Sequence, residues 1–412
     1  MFSLIAFRNI FANKRKSIIT IILSIFSTIF VTFSFALTEG SHLKMIRDSV
    51  ETYTGYIMVV GRNYISKPNY DNLIYNLPEV EKIVSKEKRI ITASPRLETF
   101  ALFSSDTDSI GGMLIGIVPE NEQFLSRVKR TVYKGRYLTN TDKPEAIMGD
   151  DFANKLKIKI GDKLTYLSNA LDSSIAADNI KIVGLFHTSS PLDTSMVFIP
   201  KKYMDTVFLS EGVASHYVML PKNEYRDGKL RILKTSLNQK IPHELDEVVT
   251  WQTILYSLIE MLAFDSIANY FTYGILVLVI FFVIMIFSLI SILQRTKEIG
   301  VLRAMGTKPS QIFLMLFLEA LILGVVSVII GGIISLIINY HFNVHPIHFD
   351  LPKEVLKEYQ KWGLLDFNIP TKFSFLDVFY LSFLIIAMNL LAILYPAFKI
   401  IKMKPIEAMN YV

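Results

Sequence analysis

The sequence contains no cysteine among its 412 residues. Disulfide bonds, thiolate zinc sites and cysteine nucleophiles are therefore excluded. Charged residues are also scarce, at 19%, whereas soluble domains carry about 25%. Hydrophobic residues reach 51% and are concentrated in a few long apolar blocks, which is the pattern of a membrane protein. The net charge of +6 is too modest to indicate a nucleic-acid partner.

Motifs of enzymatic chemistry are missing as well. The sequence has no Gly-x-Ser-x-Gly nucleophile elbow, no His-Glu-x-x-His zinc motif and no Gly-x-x-x-x-Gly-Lys-Ser/Thr phosphate loop. His187, His216 and His243 are scattered, and nothing fixes their spacing to Ser or Asp residues. We therefore expect no catalytic residue, no metal site and no cofactor bound by this chain.

Four apolar blocks are long enough to cross a bilayer, for which a helix needs about 20 residues. They predict transmembrane helices over residues 17–38, 271–293, 311–340 and 376–401. The first block follows a basic cluster, and Ser34-Phe35-Ala36 resembles the cleavage site of a secretory signal. The apolar core of a signal runs about 7–15 residues. Because this block is longer, we expect it to remain as an anchor.

Lys and Arg residues near the block ends predict the orientation in the membrane. They cluster before the first block, between the second and third, and at the end of the fourth. These segments are predicted to be cytoplasmic: an amphipathic helix at 1–16, a connecting helix at 294–310 and a tail at 402–412. Residues 39–270 and the short loop 341–375 are then extracytoplasmic, and both termini lie inside.

Residues 39–270 predict a mixed α/β domain. Short apolar runs indicate buried strands over 56–60, 113–118, 180–186, 196–199 and 217–220. Helices are expected around Pro78 and over 222–238. The segment 168–178 is polar and is predicted to be an exposed loop or hairpin tip. The fold class is thus an α-helical membrane protein with four transmembrane helices and a large α/β extracytoplasmic domain.

The segment between the second and third blocks is the most informative. Ile299, Leu302 and Met305 recur at helical spacing, and Gly306 suits the position after a helix, where a positive φ is needed. Thr307 is predicted to cap the next helix. This pattern predicts a short amphipathic helix joined rigidly to two spans. Periodicity and charge alone leave open a basic loop anchored on anionic lipid.

Two features inside the apolar blocks are candidates for function. Glu319 is an intramembrane acid, for which packing or anchoring is a more ordinary role than transport. Phe26, Phe30 and Phe33 recur at helical spacing on the first block and are a hypothetical wall of a cavity for acyl chains. A stripe that faces lipid or another helix is the alternative.

The residues from Gln294 to Gly306 resemble the Glu/Gln-Arg-x-x-Glu-Ile-Gly-x-Leu-Arg-Ala-x-Gly motif of FtsX-like, or MacB-type, ABC transporter permeases, without a gap. The segment 4–17 resembles this family's N-terminal amphipathic helix, and 395–409 resembles its closing Tyr-Pro-Ala…Pro-x-Glu-Ala signature. Segments within 149–200 also follow the family. The resemblance therefore covers nearly the whole chain, and it implies a MacB-like periplasmic core for the large domain.

The resemblance implies that the helix between the second and third spans couples to a separate ATPase dimer, which would bind ATP and Mg²⁺ and perform catalysis. The positions that would meet or support this docking are Arg295, Glu298, Ile299, Leu302, Arg303, Met305 and Gly306. A second homologous permease, or a second copy of this chain, would complete the transporter. Because no ATPase domain is fused, the lipoprotein-releasing (Lol-type) permeases are the most similar branch.

A Lol-type permease would lie in the bacterial inner membrane, with its large domain in the periplasm, and would extract lipoproteins toward a periplasmic carrier. In that branch a hairpin of one paralogue grips the carrier. The equivalent residues would be Ser168, Leu171, Asp172 and Ile175, although the prolines of that hairpin are missing. Two alternatives stay open: a split MacB-type efflux permease for peptides, antibiotics or lipids, and a signalling scaffold that moves no cargo. Besides cargo, carrier and the other subunits, membrane lipids are expected as partners, and nucleic acid is not.

Overall fold

The computed structural model describes residues 8, 10, 14–226, 228–242, 246–350, 352–361 and 366–402. The chain divides into two units. The helical unit comprises Met1–Leu43, Leu262–Phe349 and Asn368–Val412, and the sheet unit comprises Lys44–Met261 and Asp350–Phe367. Most of the predicted helix at 1–16, nearly all of the tail at 402–412, and His243 lie outside the described residues.

The described elements follow one another along the chain, with one π-helical turn at Val50–Thr54 and 3₁₀ turns at Tyr70–Asn72 and Pro191–Thr194. The strands are β1 (Ile57–Gly61), β2 (Ile90–Ser104), β3 (Ser109–Ile117), β4 (Val132–Gly135), β5 (Glu145–Gly149), β6 (Lys163–Asn169), β7 (Ile175–Phe186), β8 (Met196–Pro200), β9 (His216–Pro221), β10 (Asp246–Thr250), β11 (Ile347–His348) and β12 (Asn368–Ile369). The helices are α1 (Lys14–Ser49), α2 (Leu77–Val84), α3 (Pro119–Leu125), α4 (Val128–Thr131), α5 (Asp150–Leu156), α6 (Lys201–Phe208), α7 (Asn223–Arg226), α8 (Leu230–Asn238), α9 (Trp251–Ile254), α10 (Tyr256–Leu293), α11 (Thr296–Ala304), α12 (Pro309–Val344), α13 (Lys353–Lys361) and α14 (Phe375–Lys402).

Four helices among the described residues are long and apolar enough to cross a membrane: α1, α10, α12 and α14. Each contains one of the predicted spans. Both α1 and α10 continue as helices well beyond the apolar blocks, to Ser49 and back to Tyr256. Hydropathy marks the part of a helix that lipid tolerates, whereas charged residues such as Lys and Glu are good helix formers outside it. The boundaries between membrane and solvent stay predictions.

The helical unit is held together by small and polar residues. A Cβ added at Gly331 of α12 would lie 3.0 Å from the Thr28 Cβ of α1, so the two backbones meet closely there. Above this crossing the Thr32 and Ser335 hydroxyl oxygens are 2.7 Å apart, and Ser24 donates to Asn389 of α14 at 3.0 Å. Interhelical hydrogen bonds of this kind stabilise helix association in lipid, where apolar burial contributes little.

The sheet unit is built on one ten-stranded sheet in the described part of the chain. Its order is β10-β1-β9-β2-β3-β8-β5-β7-β4, and β6 pairs with both β2 and β7. Ile57 and Val59 of β1 belong to one buried apolar cluster, while Met58 and Val60 belong to another. The strand is therefore buried on both faces, as its unbroken apolar run predicts. The five predicted strands are confirmed as β1, β3, β7, β8 and β9.

The structure corrects one prediction about the sheet unit, refines a second and adds a strand that was not predicted. The single helix predicted over 222–238 is two helices, because Gly228 adopts a positive φ of 77° between α7 and α8. The loop or hairpin tip predicted at 168–178 is a hairpin: residues 170–174 form the turn, and the flanking residues belong to β6 and β7. The longest strand, β2, was not predicted, because Pro95, Arg96 and Glu98 interrupt its apolar pattern.

Candidate functional site

The connection between α10 and α12 is a helix with a defined end. α11 stops in a paired hydrogen-bond motif: Gly306, at φ 97°, donates its N–H to the Arg303 carbonyl at 3.0 Å, and Thr307 donates to the Leu302 carbonyl at 3.1 Å. This arrangement satisfies carbonyls that a helix end leaves unpaired. The predicted helix and its glycine stop are confirmed.

The start of α12 differs from the prediction by one residue. Lys308, not Thr307, is the capping residue, and Pro309 occupies the first helical position, where a missing N–H is tolerated. The Gln311 side chain accepts from the Lys308 N–H at 3.0 Å. The Thr307 backbone N–H instead belongs to the hydrogen-bond motif that ends α11. The turn between the two helices is thus fixed from both sides.

One face of α11 is buried in the helical unit. Thr296, Ile299 and Gly300 are buried, and Ile299 packs in an apolar cluster with Ile312 of α12 and Ile393 of α14. Side chains on three long helices therefore surround the inner face of α11. A displacement of α11 would disturb this packing, because protein interiors are close-packed and transmit strain.

An ion pair at the start of α11 strengthens this attachment. The Arg295 Nη1 lies 3.0 Å from each carboxylate oxygen of Glu319 on α12, and the two side chains are only 6% and 13% exposed. Arg295 also contacts Glu298 at 3.3 Å. The interaction agrees with the predicted anchoring role of Glu319. A buried charge without its partner is strongly destabilising, so each residue fixes the other.

A second polar contact attaches the other end of α11. The Arg303 Nη1 donates to the Ile401 carbonyl at 3.1 Å, at the end of α14. Carbonyls in the last turn of a helix lack intrahelical donors, so a guanidinium is a favourable partner there. The helix is consequently attached at its start to α12 and at its end to α14.

The opposite face of α11 is open. Val301 is 48% exposed and Met305 70% exposed, and they are flanked by the exposed residues Lys297, Glu298 and Ala304. The seven predicted coupling residues therefore separate into inward-facing Arg295 and Ile299, half-buried Leu302 and Arg303, and exposed Glu298, Met305 and Gly306. Val301 lies at a variable position of the motif, so the resemblance gave no signal for it. The open face is a small apolar patch with charged neighbours.

The three phenylalanines of α1 have different surroundings in the described structure. Phe26 and Phe30 are 64% and 43% exposed and stack on each other at 6.0 Å between ring centroids. Phe33 is half-buried and packs against Phe342 of α12 at 5.7 Å. An apolar groove of about 590 Å³ lies elsewhere in the helical unit, between α12 and α14, with Phe379 among its lining residues. The cavity role of the phenylalanines stays a prediction.

The four residues predicted to contact a carrier lie at the β6–β7 hairpin, but only two of them are exposed. Ser168 is buried and donates to the Phe100 carbonyl at 2.7 Å, and Leu171 is half-buried, with its N–H donated to the Phe208 carbonyl. Asp172 and Ile175 are exposed, the latter by 74%. The tip thus offers one acid and one large apolar side chain.

A buried charge cluster lies under β2 in the sheet unit. The Arg96 guanidinium donates to both carboxylate oxygens of Glu122, at 2.7 and 3.0 Å, and the side chains are 2% and 0% exposed. The ring of Tyr53 lies 4.2 Å from the Arg96 Cζ. Although burial alone lowers the pKa of Arg96, the neighbouring anions raise it above its ordinary value. Nothing in the local sequence signals this pair.

The end of α1 is fixed to the sheet unit by charge. Arg127 binds Asp48 at 2.8 Å and Glu51 at 2.6 Å, and its backbone N–H donates to the Glu51 carbonyl. Glu51 belongs to the π-helical turn that follows α1 and precedes β1. The final turns of α1 therefore cannot rotate freely against the domain.

A further polar cluster surrounds His187. Its Nδ1 lies 3.0 Å from Asp150 and 3.5 Å from Asp193, close enough for three ligands of one cation. Both Asp193 oxygens, however, already accept hydrogen bonds from Thr188 and Ser189. The cluster is explained as a support of this loop. Burial lowers the pKa of His187, but the neighbouring aspartates outweigh it and raise the pKa overall.

Comparison with known proteins places these features in a family. Residues 17–227 match the MacB-like periplasmic core domain, and residues 270–405 match the FtsX-like permease C-terminal region. The lipoprotein-releasing system transmembrane protein LolC of Buchnera aphidicola subsp. Schizaphis graminum is 23% identical over 94% of this chain and 91% of its own length. LolC of Xylella fastidiosa strain 9a5c is 22% identical over 79% of each chain.

Among solved structures, the periplasmic region of MacB from Actinobacillus actinomycetemcomitans aligns with 53% of this chain and 97% of its own, at 11% identity and a TM-score of 0.38. Together the two family matches cover most of the sheet unit and most of the four long helices. The chain belongs to the FtsX-like, MacB-type family of ABC transporter permeases.

Proposed function

We propose that this chain is the permease subunit of a lipoprotein-releasing ABC transporter. The observation that carries the proposal is its likeness, over 94% of its length, to a relative named as a transmembrane protein of the lipoprotein-releasing system. The geometry of α11 supports it, because that helix is attached on one face and open on the other. Cargo, in this proposal, is a lipoprotein taken from the inner membrane and passed to a periplasmic carrier.

Force enters through the open face of α11. A separate ATPase dimer, which binds ATP and Mg²⁺, docks against Val301 and Met305 and moves them as it closes. The ion pair between Arg295 and Glu319 joins α11 to α12, and Arg303 joins it to α14. Because these contacts are buried or half-buried, α11 and its neighbours move together rather than α11 moving alone.

The same movement reaches the sheet unit through the chain itself. α1 runs into the π-helical turn and then β1, while α10 follows directly after β10 and α9. β1 and β10 are paired, with Ile57 opposite Thr250. Two long helices therefore end on adjacent strands, and the Arg127 contacts fix the end of α1. Movement of these helices would shift the domain that faces the carrier.

The remaining partners follow from this arrangement. A second homologous permease, or a second copy, supplies the other half of the transporter. The chain resides in the bacterial inner membrane with cytoplasmic termini and a periplasmic sheet unit. Catalysis belongs to the ATPase, and this chain binds no nucleotide itself.

Depletion of the protein in its host tests the proposal. Mature lipoproteins should accumulate in the inner-membrane fraction within the time that the protein is lost, and re-expression should reverse this. Drug or peptide hypersensitivity with normal lipoprotein sorting would contradict it and favour a split efflux permease. A division or wall-hydrolysis defect alone would contradict it in favour of a signalling scaffold.

A further inference from the structure

The sheet unit contains a groove of about 700 Å³ beside the β6–β7 hairpin. One side is formed by the connection between β1 and α2, which contributes Tyr64, Tyr70 and Leu73. The other is formed by β2 and the hairpin. A groove of this volume falls in the range of small-molecule sites, which are mostly apolar with a few polar groups.

Exposed apolar side chains form a continuous strip along this groove. Phe100 and Leu102 of β2 are 66% and 40% exposed, and Leu167 of β6 is 47% exposed. Leu102 and Leu167 are directly opposite each other in the ladder, and Ile175 follows at the end of the hairpin. In antiparallel sheets with one solvated face, the residues on that face are normally polar. Four large apolar side chains together on such a face therefore indicate a binding surface.

Several polar groups of the groove already have hydrogen-bond partners. The Tyr70 hydroxyl lies 2.7 Å from Thr99 Oγ1 and 2.6 Å from the Asn169 carbonyl. Ser168 donates to the Phe100 carbonyl, and the Ser215 hydroxyl accepts from the Glu98 N–H at 3.1 Å. Hydroxyl groups thus occupy this stretch of the β2 backbone. An extended peptide that adds to a sheet edge needs free backbone groups, and these are taken.

Charge further restricts the ligand. Glu98 is the one ionisable acid or base among the described lining residues; its carboxylate accepts a hydrogen bond from Tyr53 and lies 3.4 Å from His216. No Lys or Arg among the described lining residues is available to pair with a phosphate or a free carboxylate. A ligand that offers only hydrocarbon satisfies the groove, because it needs no hydrogen bond and gains from apolar burial.

We propose that this groove binds a hydrocarbon acyl chain carried in ester or amide linkage. This inference rests on the proposed function for the source of the chain, which is the lipid-modified end of a lipoprotein. The groove would hold an acyl chain outside the membrane while the cargo passes to a carrier. A membrane phospholipid offers the same chemistry and is the other source to be distinguished.

The experiment uses the full chain in lipid nanodiscs. A triacylated lipopeptide with a diazirine in one acyl chain is photolysed in one sample, and a diazirine phospholipid in another. We expect lipopeptide adducts on Phe100, Leu102, Leu167 or Ile175 by peptide mass spectrometry. Leu102→Asp should lower this labelling about tenfold, because a charge replaces a large apolar contact.

Two further variants make the result decisive. Ile175→Asp, at a residue 74% exposed and thus safe for folding, should lower labelling in the same way. Ile91→Asp is the matched control: Ile91 is 57% exposed on the same strand but does not line the groove, so labelling should stay within about twofold. Adducts confined to the helical unit, or equal labelling in all three variants, would overturn the proposal.

The two sources and the two proposals separate cleanly. Groove adducts from the phospholipid but not the lipopeptide would overturn lipoprotein as the source. Groove adducts from the lipopeptide, together with normal lipoprotein sorting after depletion, would support acyl binding while the proposed function fails. Lipoproteins stranded in the inner membrane, without adducts in the groove, would support the proposed function and overturn acyl binding in the groove.

Discussion

α11 and the β6–β7 hairpin were both predicted to contact a partner, but their inward-facing residues make different kinds of contact. In α11 the inward-facing residues include a buried ion pair between Arg295 and Glu319. In the hairpin the inward-facing Ser168 makes only neutral contacts among those described: it donates to the Phe100 carbonyl, and its hydroxyl lies 3.2 Å from Thr99 Oγ1. Breaking a buried ion pair leaves an unpaired charge in apolar surroundings. Breaking a neutral hydrogen bond leaves only an unpaired hydroxyl or carbonyl, which costs less free energy.

The difference separates two kinds of contact segment. α11 is attached to α12 and α14 by buried or half-buried contacts, which the proposed transmission of force requires. The hairpin is a smaller projection whose exposed tip, Asp172 and Ile175, is suited to recognition. In each segment some predicted contact residues are anchors and others are contacts, so one label does not describe them all. Variants of the anchors should act on stability, and variants of the exposed residues should act on binding.

Arg295→Ala should have the largest effect on stability. It leaves the Glu319 carboxylate, 13% exposed, without its ion pair, and we expect a loss of about 3–5 kcal/mol of unfolding free energy. Thermal unfolding of the full chain in detergent, followed by circular dichroism of the helices, measures it. Coupling to the ATPase should be lost as well.

The control is the double variant Arg295→Met with Glu319→Leu. Removing both charges leaves no buried ion, so most of the stability should return. Failure of the double variant to recover would show that Arg295 acts through packing instead of through the ion pair, and the comparison with the hairpin would lose its basis.

Asp246→Asn should stabilise the sheet unit. The unfolding transition that this variant shifts is therefore the one that belongs to the sheet unit. Burial, followed by the charge of Glu79, raises the pKa of Asp246 to about 6. The folded state therefore holds this proton more tightly than the unfolded chain, and stability falls as pH rises from about 4 to about 6. At pH 7.5 the variant should be more stable by about 1–2 kcal/mol.

Chemical unfolding at pH 7.5 and pH 4 measures this change. The gain from Asp246→Asn should fade as pH falls below about 6 and vanish near pH 4, where the unfolded carboxyl also binds a proton. A gain of the same size at both pH values would contradict a raised pKa and would assign the effect to packing.

Ser168→Ala should have a smaller effect, confined to the hairpin. Loss of the hydroxyl removes one donor to the Phe100 carbonyl, and we expect about 1 kcal/mol of destabilisation. Hydrogen exchange at the β6–β7 amides resolves this local change. Ile175→Thr, at a residue 74% exposed near the tip, keeps a β-branched side chain and is the control, which should leave exchange unchanged. Equal protection loss in both variants would remove the distinction between anchor and contact in the hairpin.

Much of the architecture could be predicted because a bilayer imposes length and hydropathy on a spanning helix. The glycine stop at Gly306 and the apolar strands β1 and β3 were also accessible, because each depends on local sequence. The partner of Arg295 was not, since Glu319 is a helix away along the chain. The strand β2 was not predicted for the same reason, since it also depends on a contact distant in sequence. Arg96 is tolerated in the core only because Glu122 pairs with it.

Among the predicted site residues, too, the sequence predicted what is local but not which way each side chain faces. Helical spacing grouped Ile299 with Met305, although Ile299 packs inward and Met305 is 70% exposed. Leu171 was grouped with Asp172 although it packs against the sheet. Direction depends on which helices or strands surround a segment, and that information is not local.

In the proposed function, the open face of α11 receives force from an ABC ATPase. Because the chain has no cysteine, Met305→Cys creates a unique attachment site for a photo-crosslinker. In membranes where the chain and its host's ABC ATPase are co-expressed, we predict a crosslink from residue 305 to the ATPase that changes in yield with ATP. The control, Leu314→Cys, is 44% exposed on α12 within the predicted span and should give no such crosslink. Absence of the crosslink at residue 305, or equal crosslinking at both positions, would contradict the account.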